Sequence, residues 1–371
     1  MARLDWQSYR SLDESAELLD RWRHFVESRS LSPDKDSAWL KQVWSNISEK
    51  RALHVETCWE GQELVGVAPM VVELQRQKGT NLRLIKPLNT YHQLRGGQFL
   101  VDDQHASRMI DELLTRLNET HVGWSMMNVM YRDGEPQQSA FEDVVSRRGY
   151  PYVVKKSHST PYLKLAESWD AQYAQMRKKF RYELRTREKK LRELGNVEVK
   201  FLNTVDTFKE GLSCIESIEA VSWKASDGLP ITDPRHWGFY RRYAEFSAQR
   251  GELRLPILFL NDEPIAFDYG ICSKGTYYLL QTSYKQQWAD SFPGFVLRKL
   301  VIESLFDGDV SEINLGGGVS TWKAKWTKVA HDYVVYTVFS KSLKGRYLNL
   351  LGRLAERLRA TRHQLARGGD A

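Results

Sequence analysis

Two stretches of the chain carry the clearest alternation of apolar and polar positions. Leu53–Leu74 (LHVETCWE, GQE, LVGVAPMVVEL) and Leu255–Cys272 (LPILFL, NDE, PIAFDYGIC) each have apolar or alternating residues on both sides of a short polar turn. That pattern predicts strand, turn, strand. Each second strand has a small residue near its start, Gly66 and Ala266, and each hairpin follows helix-like sequence containing tryptophans, Ser11–Trp44 and Asp206–Arg250. An offset of about 200 residues between two such units predicts a duplicated α/β architecture.

Between the hairpins, Thr160–Leu165 reads as a short strand leading into one long helix, Ser168–Leu194. Tyr173, Met176, Phe180, Leu184, Leu191 and Leu194 recur there at helical spacing, and Gly195-Asn196 supplies the stop. After the second hairpin the pattern predicts a strand at Thr276–Tyr284, a loop at Lys285–Gly294, a helix at Phe295–Phe306 and a strand at Glu312–Leu315. Gly316-Gly317-Gly318 then turns the chain into Thr321–Trp326, and His331–Phe339 makes a last strand. This order is the topology of an acyl-CoA-type N-acyltransferase domain. The expected fold class is therefore α/β, with tandem acyl-CoA N-acyltransferase-like domains whose mixed, mostly antiparallel sheets are flanked by helices. The expected divisions are 1–158, 159–340 and a basic helical tail, 341–371.

Length and composition agree with two ordinary globular domains, since 371 residues with 42% hydrophobic and 27% charged positions exclude a disordered, collagen-like or coiled-coil chain. Cys58, Cys214 and Cys272 are too few and too scattered for a disulfide framework or a zinc site, which fits a reducing cytoplasm. The N-terminus lacks a signal-peptide core, and the longest apolar runs fall far below the ~20 residues that span a bilayer. The net charge of +7 is concentrated in two segments. Arg177–Arg192 carries nine Lys/Arg against two Glu, and Lys341–Ala371 carries eight against one Glu and one Asp. A nucleic-acid reader spreads its basic residues over a surface with aromatics interleaved, so that class is disfavoured. In the tail, Leu343, Tyr347, Leu350, Leu354 and Leu358 follow three/four spacing with basic residues opposite, the pattern of an interfacial helix facing anionic lipid.

The strongest chemical signal is a strand running into a glycine-containing loop that opens a helix. First-turn amides have no partners inside a helix, and the helix dipole adds positive potential, so Ser291-Phe292-Pro293-Gly294 is a candidate phosphate cradle.

Five stretches together resemble the acetyltransferase family found with bacterial cellulose and exopolysaccharide genes, within the Gcn5-related N-acetyltransferase (GNAT) superfamily. They are Trp39-Leu40 before the hairpin ending LVGVAPM, Pro161–Gly195, Val221–Lys224, the second hairpin feeding TYYLLQTSYKQQWADSFPGFVL, and Leu315–Trp326. The resemblance implies a pair of acyltransferase-like units, similar also to Fem-type peptidoglycan aminoacyltransferases, with acetyl-CoA or another acyl-CoA as donor and no metal. The superfamily's phosphate loop carries two small residues where Asp290–Val296 has one glycine, which leaves an acyl carrier protein or an aminoacyl-tRNA open as donor.

Acyl transfer to an amine needs a base, a stabilised oxyanion and a proton for the leaving thiolate. The expected catalytic residues are Glu219, Asp268 and Tyr284. The expected donor-binding residues are Gln281, Ser291, Phe292, Pro293, Gly294, Phe295 and Val296. Trp223 and Lys224 make the expected acceptor segment, and Lys323, where the resemblance has a recurrent lysine, is expected to contact a phosphate or carboxylate. The cysteines read as structural thiols. The first half, with His92 and His105 around Arg95-Gly96-Gly97, is expected to be scaffold and one wall of the acceptor cleft. Three functions follow: N-acyl transfer to an envelope or exopolysaccharide acceptor, a saccharide or peptide; aminoacyl-tRNA-dependent peptidoglycan ligation; or a catalytically silent partner of a polysaccharide synthase.

Overall fold

The computed structural model describes residues 3–47, 51–77, 80–88, 98–119, 123–226, 228 and 230–354. In chain order the first part contains β1 (Leu4–Tyr9), α1 (Ala16–Ser28), α2 (Ser37–Ile47), β2 (Arg51–Glu60), β3 (Glu63–Gln77), β4 (Thr80–Pro87), β5 (Leu100–Val101), α3 (Ala106–Glu119), β6 (Met126–Arg132), α4 (Pro136–Arg147) and β7 (Tyr152–Lys164). There follow α5 (Trp169–Gln175), α6 (Lys178–Glu193), β8 (Val197–Phe201), α7 (Phe208–Glu219), α8 (Trp223–Ser226), α9 (Pro234–Gln249), β9 (Leu253–Arg254), β10 (Pro256–Leu260), β11 (Glu263–Ser273) and β12 (Thr276–Tyr284). The chain continues with α10 (Pro293–Ser304), β13 (Glu312–Asn314), α11 (Lys323–Trp326) and β14 (Ala330–Phe339). Contacts divide it into two compact units: Met1–Ser157 with the chain from Asp332 onward, and His158–His331.

Each unit is a mixed sheet with helices against it. In unit 1 the strands run β1-β2-β3-β4-β6-β14, and in unit 2 they run β8-β10-β11-β12-β13-β7. Neighbours pair antiparallel except β4 with β6 and β12 with β13, the two crossovers that carry α3 and α10. A parallel neighbour needs such a helical crossover, so this one exception in each sheet marks the same βαβ unit twice. The sheet of unit 1 is completed by β14, which follows unit 2 in the chain, and the sheet of unit 2 by the end of β7, which opens that unit. Met126–Arg132 pairs with Tyr333–Phe339, and Glu312–Asn314 pairs with Tyr162–Lys164. Sequence pattern places the second boundary at 340, whereas the contacts place Asp332–Ser340 in unit 1, because β14 is hydrogen-bonded along β6.

Each unit has its own core, and of the stripe read in Ser168–Leu194 the side chains of Met176, Phe180, Leu184 and Leu191 are buried, whereas Leu194, after the helix end, is exposed. Unit 1 buries Met109, Ile110, Leu113, Leu114 and Leu117 of α3 against strand residues such as Val65, Ile85 and Val129. Unit 2 buries Val296, Leu297, Val301 and Ile302 of α10 with Phe180, Leu184 and Leu191 of α6 and Leu258, Leu279 and Ile313 of the sheet. The long helix expected at Ser168–Leu194 is two helices. Met176 and Arg177 are extended (ψ 149° and 138°), and the break lets the two helices bury separate faces. Trp169 packs at Phe306, and Phe180 at Trp326. Ser168 caps α5 by accepting from the Ala171 amide.

Candidate functional site

The site is built where β12 runs past the end of β13. β12 pairs with β13 only over Thr276–Tyr278, so its second half, Leu279–Tyr284, runs on without a parallel partner. On its other side the pairing with β11 shifts between Tyr269 and Gly270, a bulge that passes over Leu280 and pairs Gln281 with Tyr269. At its end Lys285 donates to Glu263 (2.8 Å), and the Gln286 amide donates to the Val221 carbonyl, which ties the turn before α8 to this strand end. Beyond β13, Gly316 adopts φ +70°, where a Cβ would meet the Leu279 carbonyl oxygen at 2.5 Å, so glycine is required for this approach.

Within that opening lies a cavity of about 230 Å³ lined by Trp223, Thr282, Ser283, Tyr284, Ala289, Phe292, Gly294, Phe295, Arg298, Trp322 and Trp326. Five residues expected from sequence meet here: Trp223, Tyr284, Phe292, Gly294 and Phe295. Six of these eleven residues are aromatic, and Phe295 and Trp326 stack with ring centroids 6.5 Å apart. Arg187 of α6 lies 4.0 Å from the Phe292 ring and 4.5 Å from Phe295, and its Nη1 has no hydrogen-bond partner among the described residues. Trp326 also borders a second, open groove of about 620 Å³, where Arg177, Lys179, Lys325 and Lys328 surround an apolar floor of Leu163, Met176 and Phe180. Lys325 is paired with Glu183 at 2.7 Å, whereas Arg177, Lys179 and Lys328 have no ion pair among the described residues.

The expected amide cradle is much reduced. Pro293 has no N–H, and the amides of Phe295 and Val296 both donate to the Phe292 carbonyl (3.0 and 3.4 Å), leaving the Gly294 amide as the first-turn donor without a partner among the described residues. The cause is local: Phe292 takes a left-handed conformation (φ 51°, ψ 48°) after the 3-10 turn Gln286–Ser291 and turns its carbonyl onto the helix start. Gly294 is not required for clearance, since an added Cβ would make only ordinary contact with Tyr284 Cδ1 at 3.6 Å. Ser291 and Pro293 do not line the cavity, and Val296 is core.

Behind the cavity lies a buried polar network. Asp268 is fully buried, and both its carboxylate oxygens meet the Arg298 guanidinium at 2.6 Å. Burial raises the Asp268 pKa while Arg298 pulls it down. This carboxylate cannot reach an acceptor. It orients Arg298, which reaches the cavity and lies 5.7 Å from the Trp322 ring. Gln281 is engaged at both ends of its amide, accepting from Lys224 Nζ (3.0 Å) and donating to the Tyr240 hydroxyl (2.8 Å), so it braces Lys224 and does not line the cavity. Burial lowers the Lys224 pKa, against the pull of Glu219 and Asp268.

Glu219, the last residue of α7, is 1% exposed. Its Oε2 accepts from the Ile231 amide (3.2 Å) and the Ser222 hydroxyl (3.4 Å), while Oε1 has no partner of normal geometry among the described residues. Burial raises its pKa above the usual carboxylate value, opposed by Lys224 and by the hydroxyl of Ser283, a residue of the cavity wall. Lys323 serves a purpose the sequence did not suggest. Its ammonium donates to the carbonyls of Gly316, Gly317 and Gly318 (2.8, 2.5 and 3.2 Å), which uses all three donors on the triple-glycine turn. Burial, with Arg298 and Lys224 nearby, pushes its pKa down to about 8.

Arg298, Ser283, Trp322 and Trp326 are site residues that sequence reasoning passed over. A signal existed for three of them: Arg298 interrupts the apolar face of α10 four residues after Gly294, and the two tryptophans of TWKAKW are four apart, on one helical face. Burial raises the Cys214 and Cys272 thiols and pushes Cys58 up to about 12, the opposite of nucleophile activation. Arg95, Gly96, Gly97 and His92 lie outside the described residues.

The fold is that of tandem GNAT-like units. Residues 178–324, within unit 2, match the family model described as an acetyltransferase (GNAT) domain. Over the whole chain the structure is similar to FemX (TM-score 0.63, 10% identity, 93% of this chain and 99% of that one). It is also similar to L-PGS from Bacillus licheniformis (0.51, 11%, 91% and 96%) and to a tandem GNAT protein from the clavulanic acid biosynthesis pathway (0.50, 11%, 92% and 100%). At these identities the likeness is one of fold. No curated protein matches the sequence.

Proposed function

We propose that unit 2 is an acyl-CoA-dependent N-acyltransferase, acetyl-CoA being the first donor to test, acting on an amine or hydroxyl of an envelope or exopolysaccharide-related saccharide or peptide. The observation that supports this reading is the aromatic cavity opening between the second half of β12, which β13 no longer pairs, and the segment after β13. A thioester arm entering there lies beside Ser283 and Tyr284. Glu219, with its raised pKa and an unused oxygen, is the base that takes the acceptor's proton by way of the Ser283 hydroxyl. The acceptor nitrogen attacks the thioester carbon, the carbon–sulfur bond breaks, and the Tyr284 hydroxyl returns a proton to the thiolate. Asp268 acts through Arg298 as a positioning residue, and Lys323 holds the glycine turn that shapes the opening.

A second reading rests on the thin amide cradle and the neighbouring groove. A donor carried by a polyanion held on Arg177, Lys179 and Lys328, as an aminoacyl-tRNA would be, needs fewer backbone amides than a pyrophosphate does. Thermal denaturation separates the two. A ligand at 100 times its Kd stabilises by about 2.7 kcal/mol. A rise with acetyl-CoA or a longer acyl-CoA supports the first reading, and a rise with aminoacyl-tRNA alone supports the second. Silence from all of them rejects both in favour of a non-catalytic partner of a polysaccharide synthase.

A further inference from the structure

The helix over 343–354 follows β14 in unit 1 and has two unlike faces. Its docked face is Gly345, Leu348 and Gly352. A Cβ on Gly345 would meet the Ser340 carbonyl oxygen at 2.2 Å, Leu348 is buried with Leu82 and Phe339, and a Cβ on Gly352 would come within 4.0 Å of the Phe339 ring. At about 100° per residue, Leu343, Tyr347, Leu350 and Leu354 fall within roughly 60° of one another on the side opposite that face. They are 85%, 47%, 56% and 45% exposed. A helix pinned by two glycines and one leucine thus presents its largest apolar side chains to solvent in a single line.

The charges around the line select the occupant. Lys341, Lys344, Arg346 and Arg353 are exposed, and 341–354 contains no acidic residue. Arg346 and Arg353 flank the stripe on one side and Lys344 on the other, while Lys344 Nζ also donates to the Asn81 carbonyl, tying the helix to its own unit. Apolar side chains bordered by cations on both flanks match the layering of a bilayer surface, where acyl chains lie beneath anionic headgroups.

We infer that this helix lays unit 1 on an anionic lipid surface, with Leu343, Tyr347, Leu350 and Leu354 inserted below the headgroups and Arg346, Arg353 and Lys344 among the phosphates. The inference is independent of the proposed reaction. It is tested with the full chain by co-sedimentation with vesicles containing phosphatidylglycerol and with vesicles of phosphatidylcholine alone. The protein pellets with the anionic vesicles and remains in solution with the zwitterionic ones. The double variant Leu343→Gln, Leu350→Gln, whose positions are exposed and whose circular dichroism stays unchanged, lowers the bound fraction about tenfold or more. Arg346→Glu with Arg353→Glu does the same, and high salt weakens wild-type binding. The inference is overturned if wild type ignores anionic vesicles, or if the double leucine variant pellets as well as wild type. It is also overturned if light scattering shows a dimer that the leucine variant dissolves, which would give the stripe to a second copy.

Discussion

Units 1 and 2 share one topology and bury charge in different ways. In unit 1, Glu56 is fully buried and both its oxygens are taken: Oε1 by His54 and Ser8, each at 2.7 Å, and Oε2 by Arg116 at 2.9 Å. In unit 2, Glu219 is buried to the same degree, yet one oxygen has no partner among the described residues and it stands beside the wall of a cavity. One corresponding strand pair in each sheet differs in the same sense. β3 and β4 pair without a shift from Met70–Pro87 to Gln77–Thr80, whereas β11 and β12 slip by one residue at Tyr269/Gly270. Glu56 is saturated, although unit 1 has its own slip between Cys58 and Trp59 and buried polar atoms without a hydrogen bond, such as the Tyr131 hydroxyl. Spare hydrogen-bonding capacity beside a cavity is what a reaction can use.

Exchanging the two glutamates for glutamine is the sharpest way to break this contrast. Glu219→Gln is expected to lower kcat by 10²–10⁴-fold, the range for loss of a general base, with folding intact. In wild type the working form is the ionised one, so kcat falls as pH drops through a pKa above the ordinary carboxylate range, and the variant loses that limb of the profile. Glu56→Gln does the reverse: it costs about 1–3 kcal/mol in urea unfolding and leaves turnover per folded molecule unchanged. A Glu56 variant with the larger loss of kcat would invert the assignment of the two units.

Two arginine–aspartate pairs extend the comparison. Asp268–Arg298 is buried, while Asp111–Arg148, also at 2.6 Å, has side chains 29% and 27% exposed. Arg298→Met strands a buried carboxylate and is expected to cost about 3–5 kcal/mol, against about 1 kcal/mol for Arg148→Met. Equal losses in equilibrium denaturation would mean that water reaches both. The smallest effect belongs to Gly294. Gly294→Ala leaves stability within about 1 kcal/mol, with helix propensity on its side, and weakens donor binding several-fold by narrowing the cavity. Calorimetric titration that shows undiminished affinity would remove Gly294 from the site.

Much of the fold is legible in the residues because hairpins and crossover helices are local patterns. The turn at Asn261-Asp262, with φ 48° and 66°, closes the second hairpin where its polar residues predict, and β12, α10, β13 and β14 lie within a few residues of their expected positions. Pairing partners are not local. Nothing in His331–Phe339 states that this strand joins Met126–Arg132, and the break at Met176-Arg177 depends on what each helix packs against. At the site, Trp223, Tyr284, Phe292, Gly294 and Phe295 could be read from their place at strand and helix ends. The reduced cradle could not, because it depends on the backbone angles of Phe292. Nor could the tasks of Lys323 and Asp268, whose partners Gly316–Gly318 and Arg298 are set by the turn and the helix facing them.

The place of β14 in the chain also bears on how such a chain can be cut. Severing the polypeptide near residue 158 would not release two independent folding modules, because the second piece would carry off β14, the strand that completes the first sheet, and leave β6 as a raw edge open to indiscriminate pairing, while β13 would keep its partner Tyr162–Lys164. A chain built this way cannot shed its second half without unpicking the sheet of the first. The closing strand of unit 1 arrives only after all of unit 2 has been made.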